Sequence, residues 1–544
     1  MHSTMQDVPL SIATIVRYGT TVYADSEVVS YDGEHTHRAT LGELGVRAAR
    51  LASGLRDLAG VRIGEPVGSF LWNQREHFEA YLAVPAMGAV LHTLNVRYTP
   101  EQIAYTAAHA EDRVIIVDES LVDVLAGVLP ALPALEHLVV VGWAVEHTRL
   151  ARPGLTVHSY EELLAAGQES YDWPELPETS PALMCYTSGT TGAPKGVIYS
   201  HRSTYLVCMQ LCMGDYLALS SRDKALLIVP MFHTNAWNYP YAALMVGASI
   251  VLPGRHVQPP HLARLIEWER PTVSCGVPTI WADLLHHSRA EGTDLSSLRD
   301  VVVGGSACPR SLMERYEQEF GVRLLHGWGM TEMSPIGTIA KPGGPVGDEA
   351  WAFRLTQGRL VCGVQARLSD PEGKILPNDG VSMGEIETRG PWVTGAYHRQ
   401  PDESRFHGGW LRTGDVGVIS PTGVLQLRDR TKDVIKSGGE WISSLELEQA
   451  LHEHPDVLDA AVIGVEDERW GERPLAVVML RAGAAVGTDD LVAHLSARLA
   501  RWQVPERWSR LEALPRTSVG KTDKVALRQL YAERSLTVET TGSP

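Results

Sequence analysis

Tyr186-Thr-Ser-Gly-Thr-Thr-Gly-Ala-Pro-Lys195-Gly196 sets four hydroxyls (Thr187, Ser188, Thr190, Thr191) and flexible backbone amides around Gly189 in front of one ammonium, Lys195. Small polar and glycine residues let successive amide N–H groups turn toward an anion, so the stretch has the composition of a phosphate cradle. The Walker A pattern needs four residues between its first glycine and a Gly-Lys-Ser/Thr triplet. Neither Gly189 nor Gly192 meets that spacing, which argues against a P-loop NTPase.

Outward from this loop, the basic residues are unevenly chosen. Only eight of the 48 basic residues are lysines, and Lys195, Lys432, Lys436, Lys521 and Lys524 all lie in glycine-bearing segments. A lysine is a compact charge on a flexible stem, whereas arginine is a planar fork, so these positions mark chemistry. The net charge of -17 speaks against nucleic acid as a partner and requires any site for a phosphate-bearing ligand to be locally basic. Six cysteines without CxxC or framework spacing read as reduced thiols, and the histidines form no metal-ligand cluster. The apolar stretches Tyr81 to Leu91 and Tyr239 to Pro253 are too short and too interrupted to span a bilayer, and the N-terminus lacks a signal pattern. The expectation is a soluble, cytoplasmic protein with no integral membrane segment.

Apolar runs at Val114 to Val117, Leu138 to Val141, Leu226 to Val229, Ser249 to Leu252 and Val301 to Val303 suit strands buried on both faces of largely parallel sheets. Val303 runs directly into Gly304-Gly-Ser-Ala307, a candidate binding wall at a strand's carboxyl end. From about Gly358 to Gln426 the pattern shifts to Gly-punctuated β segments, consistent with a small barrel or antiparallel sheet. A compact α+β unit follows, with strands near Ala460 to Gly464 and Leu475 to Leu480, a helix capped by Thr488, and a disordered end at Thr540 to Pro544. The expected fold is therefore α/β, with a large domain over 1–430 and a small domain over 431–544, whose mobility is what the resemblance given below implies.

Three further segments carry chemistry. Leu325-His-Gly-Trp-Gly-Met-Thr-Glu332-Met333 offers Trp328 as an adenine wall, Thr331 as a phosphate donor and Glu332, aided by Thr187, as a Mg²⁺ ligand. Trp410-Leu-Arg-Thr-Gly-Asp415 precedes Arg428-Asp-Arg430-Thr-Lys432, and Pro515-Arg-Thr-Ser-Val-Gly-Lys521-Thr-Asp-Lys524 lies near the end. In this order the segments resemble those of the adenylate-forming superfamily, over roughly residues 20 to 535. Two strings, Met231-Phe-His-Thr-Asn-Ala-Trp237 and Ser437-Gly-Gly-Glu-Trp-Ile-Ser443, look like those of medium- and long-chain fatty acyl-CoA synthetases and methylmercaptopropionate-CoA ligases.

The resemblance implies roles. Asp415 would bind the ribose hydroxyls, Arg430 ribose and phosphate, and Lys521 the carboxylate and α-phosphate. Ser306, His326, Gly327 and Lys436 would complete the nucleotide site. Trp237 would gate an acyl tunnel also lined by Gly305 and Met333, and His233 would sit beside the thioesterification site. Lys432 would be the hinge, and Gly438, Gly439 and Glu440 would line the CoA channel. Thr522 stands where related ligases often carry phenylalanine. The implied reaction is ATP-dependent formation of an acyl-AMP from a fatty or fatty-like acid, then transfer to CoA, with Lys521, Thr331 and His233 catalytic. An acyl-AMP ligase serving a carrier protein or a second enzyme is the alternative, and a homodimer is compatible with either.

Overall fold

The alternating destinations of Val114, Ile115, Ile116 and Val117 show how the sheets are built. Val114 and Ile116 enter one core, while Ile115 and Val117 enter another on the opposite face. The computed structural model describes every residue except 1–2, 143–149, 151, 188–192, 343–347, 438–439, 482, 518–520 and 542–544.

This strand, Val114–Asp118, lies in a seven-stranded sheet that is parallel apart from its last hairpin. That hairpin joins Pro181–Thr187 to Lys195–Ser200, with Thr187 directly opposite Lys195. A second sheet carries Lys224–Leu226, Ser249–Leu252, Val273–Gly276, Asp300–Val303 and Arg323–Gly329 in parallel. Helices Ile12–Val22, Leu41–Asp57, Arg75–Ala86, His201–Cys212 and Tyr239–Val246 share one core with strands of both sheets. These helices are the common filling, which is why Tyr81 to Ala86 are fully buried without being a membrane span. Among the described residues no helix is long and apolar enough to cross a membrane.

The Gly-punctuated strands pair antiparallel and are hydrogen-bonded onto the second sheet where Arg323–Gly329 meets Ile336–Ile339. Their last member, Val424–Arg430, lies beside Trp410–Ile419, and the next strand, Ile435–Ser437, belongs to a separate six-stranded sheet. That sheet has a core on each face, with Ala460 and Val462 in one and Ala461 and Ile463 in the other.

Local expectations are corrected at three places. The strand at Leu226 to Val229 ends at Leu226, because the buried Asn73 amide draws the carbonyls of Leu227 and Val229 out of the ladder at 2.7 and 2.9 Å. Thr488 is the first residue of its helix, and its hydroxyl donates to Glu539 at 2.6 Å instead of capping. Thr540 is ordered, in a short strand paired with Arg507.

Candidate active site

Lys195 leaves the Thr187 hairpin with its Nζ 2.6 Å from Asp402 Oδ2 and 4.7 Å from the centre of the Tyr397 ring. Tyr397 donates its hydroxyl to Glu332 Oε1 at 2.7 Å, and Arg405 Nη2 lies 3.9 Å from the same oxygen. Glu332 is buried on a short helical turn after Gly329, where Thr331 also sits. One loop, from Thr394 to Phe406, thus holds the phosphate-loop lysine and the candidate metal carboxylate together. No signal in the sequence singled out Tyr397, Asp402 or Arg405.

A second cluster forms across adjacent strands. Asp415 and Arg430 are directly opposite, with Arg430 Nε 3.3 Å from Asp415 Oδ1, while Trp328 Nε1 donates to Asp415 Oδ2 at 2.7 Å. The indole N–H is therefore committed to orienting Asp415, and Gly337 packs on one edge of the ring. Two carboxylate oxygens accept about four hydrogen bonds, so Asp415 retains capacity for two ribose hydroxyls.

Lys521 comes from the small domain into this cluster. Its ammonium is lowered from 10.5 to about 8, first by loss of solvation and then by Arg430, against the pull of Asp415 and Glu332. Gly305 adopts φ +85°, and a Cβ there would lie 2.9 Å from Lys521 Cε. The bare Gly305 backbone therefore leaves room for the lysine stem. Its neighbour Gly304 packs against the indole of Trp237, since a Cβ at Gly304 would meet Trp237 Cη2 at 3.4 Å.

His233 lies within reach of Lys521 and Arg97, and its pKa falls to about 3 through burial first and these two cations second. It is neutral at physiological pH. The five residues after it, Thr234 to Asn238, all have positive φ, between 47° and 62°. Left-handed backbone costs about 1–2 kcal/mol per non-glycine residue, so the turn needs external support. Thr234 Oγ1 meets Thr331 Oγ1 at 3.1 Å, Asn238 donates to the Ser334 carbonyl at 2.5 Å, and Cys185 Sγ donates to Asn235 at 3.2 Å. The first two contacts tie the Trp237 turn to the Thr331–Glu332 turn, and the third ties it to the strand Pro181–Thr187.

Other expected residues take varied places. Ser306 is exposed beyond Val303, His326 is buried with its pKa lowered to about 4 by burial, Gly327 pairs with Ile339, and Met333 is fully buried. Lys432 is exposed on the turn after Arg430, and Lys436 is exposed, its ammonium making no ion pair among the described residues. Lys524 is the exception to the lysine pattern. It is a structural ion-pair partner, 2.7 Å from both Glu448 Oε1 and Ser444 Oγ, and it faces Asp429 and Asp433. Ser188, Gly189, Thr190, Thr191, Gly438 and Gly439 lie outside the described residues, and Glu440 opens the strand Glu440–Ile442.

The AMP-binding enzyme family matches residues 18–398, and the AMP-binding enzyme C-terminal domain matches residues 446–521. The chain belongs to the AMP-binding enzyme family. Among curated relatives of this family member, the 3-methylmercaptopropionyl-CoA ligase of Ruegeria pomeroyi is 41% identical over 98% of this chain and 99% of its own. The long-chain-fatty-acid–CoA ligase of Thermus thermophilus is 42% identical over 97% of each chain. The medium-chain-fatty-acid–CoA ligase of Ectopseudomonas oleovorans is 40% identical over 96% of each. The solved anthranilate CoA ligase AuaEII with anthranoyl-AMP superposes with a TM-score of 0.88 at 26% identity, covering 98% of this chain and 100% of that one.

Proposed function

We propose that this acyl-CoA ligase acts on a medium- to long-chain aliphatic acid or a short thioether acid, with the site residues assigned as follows. The reaction has two steps. The acid's carboxylate attacks the α-phosphorus of ATP to give acyl-AMP and pyrophosphate, and the CoA thiol then displaces AMP. No enzyme nucleophile is needed, so the protein contributes position and charge.

The observation that carries the assignment is Lys521, delivered from the small domain to a point within reach of Asp415, Arg430, Glu332 and His233. There its ammonium neutralises charge building between carboxylate and α-phosphate. Asp415, oriented by Trp328, takes the ribose, while Arg430 and Lys195 take phosphates and Thr331 donates to them. The neutral His233 accepts no charge from Lys521 and lies next to the carbonyl that CoA later attacks. The AMP-binding fold implies Mg²⁺ with the nucleotide. Glu332 fits it, since Oε1 is held by Tyr397 while no described residue donates to Oε2, and a hard oxygen ligand plus phosphates and water suits magnesium. Thr187, at the strand end opposite Lys195, would be the second protein ligand; the ion would neutralise phosphate charge.

For the second step the small domain, 431–544, turns about Lys432, withdrawing Lys521 and presenting the 438–440 segment to CoA. Trp237, packed on Gly304, bounds the acyl group together with Met333. The test is pyrophosphate release across a panel from butyrate to palmitate, with 3-methylmercaptopropionate and anthranilate. The expected preference is for the aliphatic and thioether acids. A preference of about tenfold or more for anthranilate, equivalent to about 1.4 kcal/mol, would refute the proposed acid class.

A further inference from the structure

Lys521 stands on a hairpin whose rungs are Asp523 N–H on the Pro515 carbonyl at 2.8 Å, a backbone bridge between Arg516 and Thr522, and Thr517 N–H on the Lys521 carbonyl at 2.7 Å. The Lys521 amide also donates to Thr517 Oγ1 at 3.2 Å. Nothing in this ladder fixes the hairpin to the rest of the small domain. Arg516 does so with two arms of one guanidinium. Nη1 donates to Thr522 Oγ1 at 3.1 Å, and Nη2 pairs with Asp459 on the strand Val457–Asp467.

Asp459 is itself held from behind. Its Oδ1 faces His452 Nε2 at 3.0 Å and accepts the Ala460 amide at 2.8 Å, while His452 Nδ1 faces the Glu448 carbonyl at 2.7 Å. Both imidazole nitrogens point at acceptors, an arrangement that favours the doubly protonated ring. Burial opposes that charge, but the bonds to Asp459 and Glu448 outweigh it and raise the His452 pKa. The result is a row in which Asp459 stands between the His452 ring and the Arg516 guanidinium, ending on the hydroxyl beside Lys521. Asp283 of the large-domain helix Pro278–Glu291 lies within electrostatic reach of Arg516 and Asp459, so the row abuts the large domain while Lys521 is inserted.

We infer that Arg516 is a positioning residue for the adenylation step, bridging Thr522 to the Asp459–His452 pair so that Lys521 is held at its working depth. The inference rests on the assignment of Lys521 to adenylation. A lysine at 516 could reach Asp459 or Thr522 but lacks the fork that spans both. A misplacement of about 1 Å at a charge-stabilising group costs up to about a hundredfold in rate.

The test compares Arg516→Lys, Thr522→Val, Thr522→Ser and the Arg516→Lys/Thr522→Val pair, each with a thermal melt, in ATP-dependent pyrophosphate release and in CoA-dependent consumption of supplied acyl-AMP. Arg516→Lys and Thr522→Val are expected to lower adenylation kcat about tenfold with the KM for ATP and the acyl-AMP reaction unchanged. Thr522→Ser is expected to retain the wild-type rate, and the pair to be no slower than the slower single variant. Equal loss of both half-reactions, or an adenylation rate within about twofold of wild type for both singles, overturns the inference. Lys521→Ala is run in parallel. If it still adenylates, the role of Lys521 itself is wrong, whereas its inactivity beside active Arg516 and Thr522 variants removes only the brace.

Discussion

Lys521 allows the most searching experiment because the proposal assigns it both a charge state and a half-reaction. Its pKa is lowered from 10.5 to about 8, by lost solvation first and by Arg430 second. Each pKa unit is worth about 1.4 kcal/mol, so the displacement corresponds to about 3 kcal/mol, and to about 1–2 kcal/mol after discounting for the solvent the side chain still meets. The sign follows from the charge. Below about pH 8 the ammonium is ionised and the full penalty for inserting it is present. As pH rises through 8 the folded site releases the proton before free lysine would, so the penalty disappears together with the catalytic charge. ATP and the carboxylate supply negative charge that offsets this penalty when they bind. With ATP and the acid both well below saturation, the adenylation rate reports the free enzyme and is therefore expected to fall above about pH 8 with unit slope. In Lys521→Arg the rate is lower but that limb is absent, since guanidinium stays charged. In Lys521→Ala adenylation falls about 10²–10³-fold, the usual scale for one lost electrostatic donor, while supplied acyl-AMP is still consumed with CoA. Pyrophosphate release and thioester formation, each measured from pH 6 to 10, provide the readout. An alanine variant within about threefold of wild type in adenylation, or an unchanged alkaline limb in the arginine variant, would refute the reasoning.

Four further outcomes follow from the same geometry. Gly305→Ala places a Cβ 2.9 Å from Lys521 Cε at φ +85°, so adenylation should fall at least about tenfold while acyl-AMP consumption persists, as the two half-reaction assays would show. Trp237→Ala should alter kcat/KM across the acid panel more than the KM for ATP; unaltered selectivity with weakened ATP binding would end its role as a gate. Lys432→Pro fixes φ at the turn between the two sheets and should spare acyl-AMP formation while slowing thioester formation, whereas equal loss of both would place the hinge elsewhere. Lys524→Ala leaves the largely buried Glu448 without its cation and should destabilise the chain by about 2–3 kcal/mol in denaturant unfolding; a change below about 1 kcal/mol would contradict a structural role for the pair.

The sequence alone determined the architecture and much of the chemistry. Runs such as Val114 to Val117 are apolar at every position because their strands face a core on both sides, and that pattern needs no tertiary information. The hydroxyl-rich loop before Lys195 and the Thr331–Glu332 pair were legible as candidates because each lies in one short segment, whereas Asp415 and Arg430 came from the resemblance and only strand pairing sets them opposite. The tertiary structure decided which partner each charge meets. Lys521 and Lys524 are three residues apart in one motif, yet Asp523 caps the helix Lys524–Ala532 between them. The cap sends Lys524 inward to Glu448 and leaves Lys521 free to enter the site. Likewise Asp402 meets Lys195 across 207 residues, and Trp328 meets Asp415 across 87. The left-handed turn from Thr234 to Asn238 was equally hidden, since its support comes from Thr331, Ser334 and Cys185. Local sequence encodes periodicity and residue chemistry; the pairing of buried charges and the bracing of a strained turn depend on groups that only folding brings together.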